Sequence, residues 1–109
     1  GKILYTNNGG SSGISLISGL VPEAYSLSQN YPNPFNPSTN FRFDIPSSAI
    51  VTLKVYDSSG KEVRTLLNEV KTAGSYEAEF DALNLPSGIY YYTLMTGDLV
   101  LTKKMMLVK

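Results

Sequence analysis

The side chains that carry most enzymatic chemistry are missing from this sequence. Its 109 residues include no histidine and no cysteine. That removes every histidine-based triad, every thiol nucleophile and every thiolate or imidazole zinc site within the chain. Oxygen chemistry remains, at two places. Gly9-Gly10-Ser11-Ser12-Gly13 spells the G-x-S-x-G nucleophile elbow. That elbow needs a strand-to-helix turn and a histidine partner, and neither is present. Glu77, Glu79 and Asp81 alternate along one strand face, where three carboxylates could gather Ca²⁺. No turn-borne oxygens stand beside them to complete such a shell, so the row reads as a solvated face. No catalytic pair can be assembled, and neither a cofactor nor a metal is expected. The sequence does not read as an enzyme.

Residues suited to recognition are more plentiful. In Tyr90-Tyr91-Tyr92 the middle tyrosine points outward, where an aromatic ring can stack on a sugar, although isolated surface aromatics are common. Lys103, Lys104 and Lys109 make the end of the chain basic, and charges on a terminal strand usually protect its edge. Around these residues the composition is that of a folded domain. Hydrophobic residues make up 42% of the chain, too many for disorder and enough for one small core. Lys plus Arg (9) balances Asp plus Glu (9), so no global field steers the chain toward nucleic acid or an anionic membrane. No apolar run approaches the roughly 20 residues of a membrane span, so stable membrane insertion is not expected. The sequence opens without Met and without a signal-peptide pattern, and reads as part of a longer protein.

The elements that position these residues read as β throughout. Residues 22–44 organise the chain. Asn33-Pro34-Phe35-Asn36-Pro37-Ser38 packs two prolines, two asparagines and an aromatic into six positions, which excludes helix and ordinary strand. A stiff, polyproline-like segment is expected, pinned down by Tyr31 and Phe35 as apolar anchors. A strand follows with Phe41, Phe43 and Ile45 on one face and Asn40, Arg42 and Asp44 on the other. Further alternation appears over residues 49–56, 61–67, 75–81, 89–94 and 99–108, broken by Gly, Pro and Asp turns. Residues 62–71 also carry helical spacing at Val63, Leu66, Leu67 and Val70, but the turns on either side favour a strand. Short strands at regular spacing predict an all-β, small antiparallel immunoglobulin-like β-sandwich of about seven strands, built from consecutive hairpins and without a disulfide.

Residues 1–20 differ in kind from residues 21–109. They hold a Gly-Ser stretch and one strand-like run, Lys2-Ile3-Leu4-Tyr5. Thr6-Asn7-Asn8-Gly9-Gly10-Ser11-Ser12 resembles the Asp-box turn of sialidase-like β-propellers, with Gly13 where the box has Trp. Two readings stand for this stretch: the tail of an upstream repeat, or a plain linker.

A second resemblance covers the rest. Tyr31-Pro32-Asn33-Pro34-Phe35-Asn36-Pro37-Ser38, with Leu27 to Asn30 before it and Thr39 after it, is similar to the opening signature of the type A C-terminal sorting domains of the type IX secretion system. That family continues with F-x-F-x-hydrophobic and V-x-L-x-V-Y-D, here Phe41 to Ile45 and Val51 to Asp57. Pro86-Ser87-Gly88-Ile89-Tyr90 resembles its P-x-G-hydrophobic-Tyr motif. Gly97, Lys104 and the hydrophobic residues before Lys109 resemble its terminal G-x(n)-K-hydrophobic motif.

The resemblance implies an address rather than an activity. Such domains end exported cargo, fold in the periplasm and are recognised by an outer-membrane translocon; many are then cut off by a surface sorting peptidase. The expected partners are therefore that translocon, that peptidase and an N-terminally attached cargo, and the expected location is the cell surface or beyond. Recognition is expected at Pro86, Gly88, Tyr90, Gly97, Lys103, Lys104 and Lys109, with the edge of the last strand open to strand addition. The alternative is an immunoglobulin-like stalk or carbohydrate-binding module using Tyr91.

Overall fold

A computed structural model describes residues 14–18, 20–97 and 99–109 of the chain. The strand-like run at residues 2–5, the Asp-box and elbow motifs, and Asp98 lie outside the described residues. Among those described there are eight strands and no helix: β1 (Ile14–Ser18), β2 (Ser26–Leu27), β3 (Ser38–Ile45), β4 (Ala49–Asp57), β5 (Glu62–Lys71), β6 (Gly74–Asp81), β7 (Gly88–Thr96) and β8 (Leu99–Leu107). They form two antiparallel four-stranded sheets, ordered β1-β6-β3-β2 and β5-β4-β7-β8. The expected all-β sandwich is present, with eight strands rather than about seven.

Period-2 alternation correctly marks the inward residues. Phe41, Phe43 and Ile45 of β3, Val51, Leu53 and Val55 of β4, Tyr76, Ala78 and Phe80 of β6, and Tyr90, Tyr92 and Leu94 of β7 are all buried between the sheets. Aromatic pairs bridge the layers. The Tyr92 ring stacks on Phe41 at 4.3 Å, and Phe35 meets Phe80 edge-on at 6.1 Å.

Connectivity differs from a run of hairpins. Only β4–β5 and β7–β8 are sequence-adjacent partners within a sheet joined by short turns; the chain passes from one sheet to the other after β3, β5 and β6. Alternation tells which side of a strand faces the core but not which strand lies beside it. In β5 simple alternation is interrupted as well: Val63 packs against the core, but so do the adjacent Leu66 and Leu67. Two register shifts against β4 set Arg64 opposite Val55, with its guanidinium over the Phe80 ring at 5.2 Å. The stretch read as linker or upstream tail contributes β1, which pairs with β6 at the edge of its sheet.

The proline-rich segment is bent rather than extended. Tyr31 pairs with Asn40 of β3, and four residues later Phe35 bridges in parallel to Leu107 of β8. The X-Pro bonds at Pro32, Pro34 and Pro37 are cis. Only one of the two expected anchors is an anchor: Phe35 is 1% exposed, whereas Tyr31 is 81% exposed on the sheet surface.

Candidate functional site

The Asn-Pro motif owes its shape to two buried polar residues. Asn30, 3% exposed, donates from Nδ2 to Thr39 Oγ1 (3.0 Å) and to the Pro32 carbonyl (3.1 Å). Thr39 Oγ1 donates to the same carbonyl at 2.8 Å. A buried amide and hydroxyl are tolerated because each finds partners, and here they satisfy a carbonyl in a segment rich in prolines, which lack N–H groups. Paired backbone bonds between Tyr31 and Asn40, at 2.8 and 3.0 Å, complete the first bend.

Beyond that bend the motif reaches the last strand. The Phe35 N–H donates to the Met106 carbonyl (2.9 Å), and the Val108 N–H donates to the Phe35 carbonyl (3.0 Å). Asn33 Oδ1 accepts from the Met106 N–H at 3.0 Å, and Gln29 Nε2 donates to the Lys104 carbonyl at 2.6 Å. These four bonds occupy the edge of β8 that faces away from β7. The C-terminal half of the last strand is therefore not the open edge expected of it; the chain's own motif covers it, and the open edge is confined to the half that begins at Leu99.

The corner between β6 and β7 closes the same end of the molecule. The Tyr90 hydroxyl donates to the Pro86 carbonyl at 2.6 Å, a local tie that fixes the start of β7 much as a tyrosine corner does in other sandwiches. Gly88 sits there at φ +153°, a conformation that side chains with a Cβ rarely adopt. Desolvation, with a smaller contribution from the Asp57 charge, pushes the Tyr90 phenol above its ordinary pKa, so the hydroxyl stays a donor. Lys109 docks onto this corner, its N–H donating to Ser87 Oγ (3.0 Å) and its Nζ to the Leu83 carbonyl (2.5 Å).

Three segments from distant parts of the chain thus share one end of the sandwich: residues 29–38, the corner at residues 83–90, and residues 104–109. Between them lies a shallow cleft of about 150 Å³ lined by Asn33, Pro34, Ile89, Lys104, Met105 and Met106. A second cleft of about 270 Å³ runs from the corner to the Asp57–Gly60 turn. Asp57 organises that turn by accepting from the Ser59 hydroxyl and N–H and from the Lys61 N–H. Those bonds, led by the Ser59 hydroxyl, hold its carboxyl below the usual carboxylate range.

The chain matches the model of the secretion system C-terminal sorting domain over residues 29–109. It belongs to that family. No curated protein and no solved structure matches the chain. Membership implies involvement with the type IX secretion system, an N-terminal cargo, and export across the outer membrane to the cell surface or the extracellular space.

Within the sorting domain, the residues expected to act in recognition do not all meet. Pro86, Gly88 and Tyr90 form the corner, and Lys109 is bonded to it. Lys104 is exposed beside the cleft, but Lys103 is half-buried on the core side of β8 opposite Tyr92. Gly97 (φ +52°) turns the chain at the far end of β7, about 30 Å along the strand from Gly88, and shapes a different turn. Tyr91 is half-buried between Tyr56 and Lys104, its cross-strand neighbours. Among the described residues, no three acidic side chains come together to hold a metal ion. Gln29, Asn30 and Thr39 stand in the family-like run, but their sequence gives them no role of their own. Short polar residues beside prolines read as turn formers, and only the fold reveals what they hold.

Proposed function

We propose that this domain is the recognition signal by which an outer-membrane translocon takes up the cargo attached to its N-terminus. The surface presented is the end of the sandwich where the Asn-Pro motif, the β6–β7 corner and the last strand meet. One observation carries this reading: the segment from Gln29 to Phe35 is hydrogen-bonded along the edge of β8 at Lys104, Met106 and Val108. A translocon reading that surface reads a completed fold, since its parts lie more than seventy residues apart in sequence. Unfolded or truncated cargo tails would fail to present it.

Lys104 supplies free charge at the cleft, while Asn33, Pro34, Ile89 and Met106 supply shape and apolar contact. The domain acts by being recognised and carries out no chemistry of its own. Removal by a surface peptidase, where it occurs, falls in the Gly-Ser stretch or just before Tyr25, upstream of the strand that leads into the Asn-Pro motif.

The test is a fluorescent reporter with a Sec signal, fused in front of residues 1–109 and expressed in a bacterium with an intact type IX system and in a translocon-deficient sister strain. Reporter outside the first strain and retained in the periplasm of the second is the expected result. Periplasmic reporter in both strains would falsify the assignment. Deleting residues 104–109 should abolish export from the intact strain.

A further inference from the structure

The exposed outer face of the β1-β6-β3-β2 sheet carries a site of a different kind. Tyr31 pairs with Asn40, so both side chains stand on the same outward face. Arg42 follows two residues along β3, and Glu77 lies directly across from it on β6. Together with Ser28 and Gln29 these residues line a depression of about 280 Å³, near the lower end of small-molecule sites at about 300 Å³.

The polar groups there are unspent. Arg42 and Glu77 are cross-strand neighbours of opposite charge, yet they do not bridge; the ion pairs among the described residues are Lys54–Glu62 and Lys71–Glu69. The side chains of Tyr31, Asn40, Arg42 and Glu77 make no hydrogen bond among the described residues. By contrast, Ser28 Oγ accepts from the Arg42 N–H, and Gln29 Nε2 serves Asn30 and Lys104. The Tyr31 ring, 81% exposed, contributes nothing to the core.

We infer that this depression binds a neutral sugar ring. Guanidinium only donates, carboxylate only accepts, and the amide of Asn40 does both. Neighbouring hydroxyls on a pyranose, each both donor and acceptor, satisfy all three without bringing a net charge. The tyrosine ring supplies a flat apolar wall for the C–H face of that sugar, with its hydroxyl at the wet rim. Tyr31 and β6 lie two strand spacings apart, about 10 Å, wide enough for one ring between them. Glu79, the next residue along the outer face of β6, weighs against an anionic sugar. A peptide cannot add as a strand here, because Tyr31 already occupies the β3 edge at Asn40.

The experiment is an amide NMR titration of the full chain with methyl glycosides of glucose, galactose, mannose and N-acetylglucosamine, and with a neutral peptide as control. At least one glycoside should give saturable shifts at Tyr31, Asn40, Arg42 and Glu77, with millimolar affinity. Tyr31→Ala should weaken that binding about tenfold or more with the unfolding midpoint unchanged, Tyr31→Phe should largely keep it, and Tyr91→Ala should leave it intact. No saturable shift with any glycoside overturns the inference. So do binding that survives Tyr31→Ala, binding lost in Tyr91→Ala, and a response to the peptide alone. Sugar binding is read on the purified chain and export in the reporter strains, so this inference and the proposed function can fail separately.

Discussion

Two aromatic residues of one motif have opposite duties. Phe35 is sealed between Phe80 and the last strand, so Phe35→Ala should cost about 3–5 kcal/mol in urea unfolding, as lost burial and a cavity add. Tyr31→Ala should stay within about 0.5 kcal/mol, since the ring is in water. From sequence both look like anchors, because a motif without period-2 alternation gives no sign of which side chain faces inward. Tyr92 shows the same dependence on context. Its alternation places it in the core, but not its hydroxyl, which donates to the Ser28 carbonyl at 2.6 Å across the sandwich. Tyr92→Phe should lose that bond at a cost of about 1 kcal/mol, measured in the same way.

Among the elements, the last strand depends most on others. The Lys104 and Met106 carbonyls and the Met106 and Val108 N–H groups are held by a segment that precedes β3. Phe35→Ala should therefore raise hydrogen-exchange rates at Met106 and Val108 well before those of β4, whose amides lie in the middle of a sheet. If exchange rises uniformly over all strands, the clamp is no separate element. At the corner, Gly88→Ala meets no steric neighbour but forces an unfavourable φ, and should cost about 1–3 kcal/mol in thermal or urea unfolding. Strand positions and their inward residues were legible because alternation is a local signal. The bulges of β5, the strand β1 and the covering of β8 were not, because each depends on a partner distant in sequence.

For the whole molecule, pH stability follows from the two kinds of shifted group. The Asp57 and Glu62 carboxyls are held below their ordinary values of 3.8 and 4.5, Asp57 chiefly by the Ser59 hydroxyl and Glu62 chiefly by the Thr65 hydroxyl. Their contribution is present above those values and lost as pH falls through the folded-state pKa, where the unfolded chain binds protons that the fold does not. Burial raises the Tyr90 and Tyr92 phenols above 10.0. Above that pH the unfolded phenols ionise first, so stability falls as pH rises. Urea midpoints across pH should show a plateau from about 5 to 9 with a fall on each side, and Tyr92→Phe should soften the alkaline fall. Sequence by itself determined the class of this protein: the absence of His and Cys, the alternating strands, and a string of motifs in family order. Tertiary structure alone decided which motifs share a surface. It joined the Asn-Pro motif, the Pro86–Tyr90 corner and Lys109, sent Gly97 to another turn, and left Tyr31 outside. The physical reason is that side-chain alternation is set within a strand, whereas an edge hydrogen bond is set by whichever segment the packed core brings beside it.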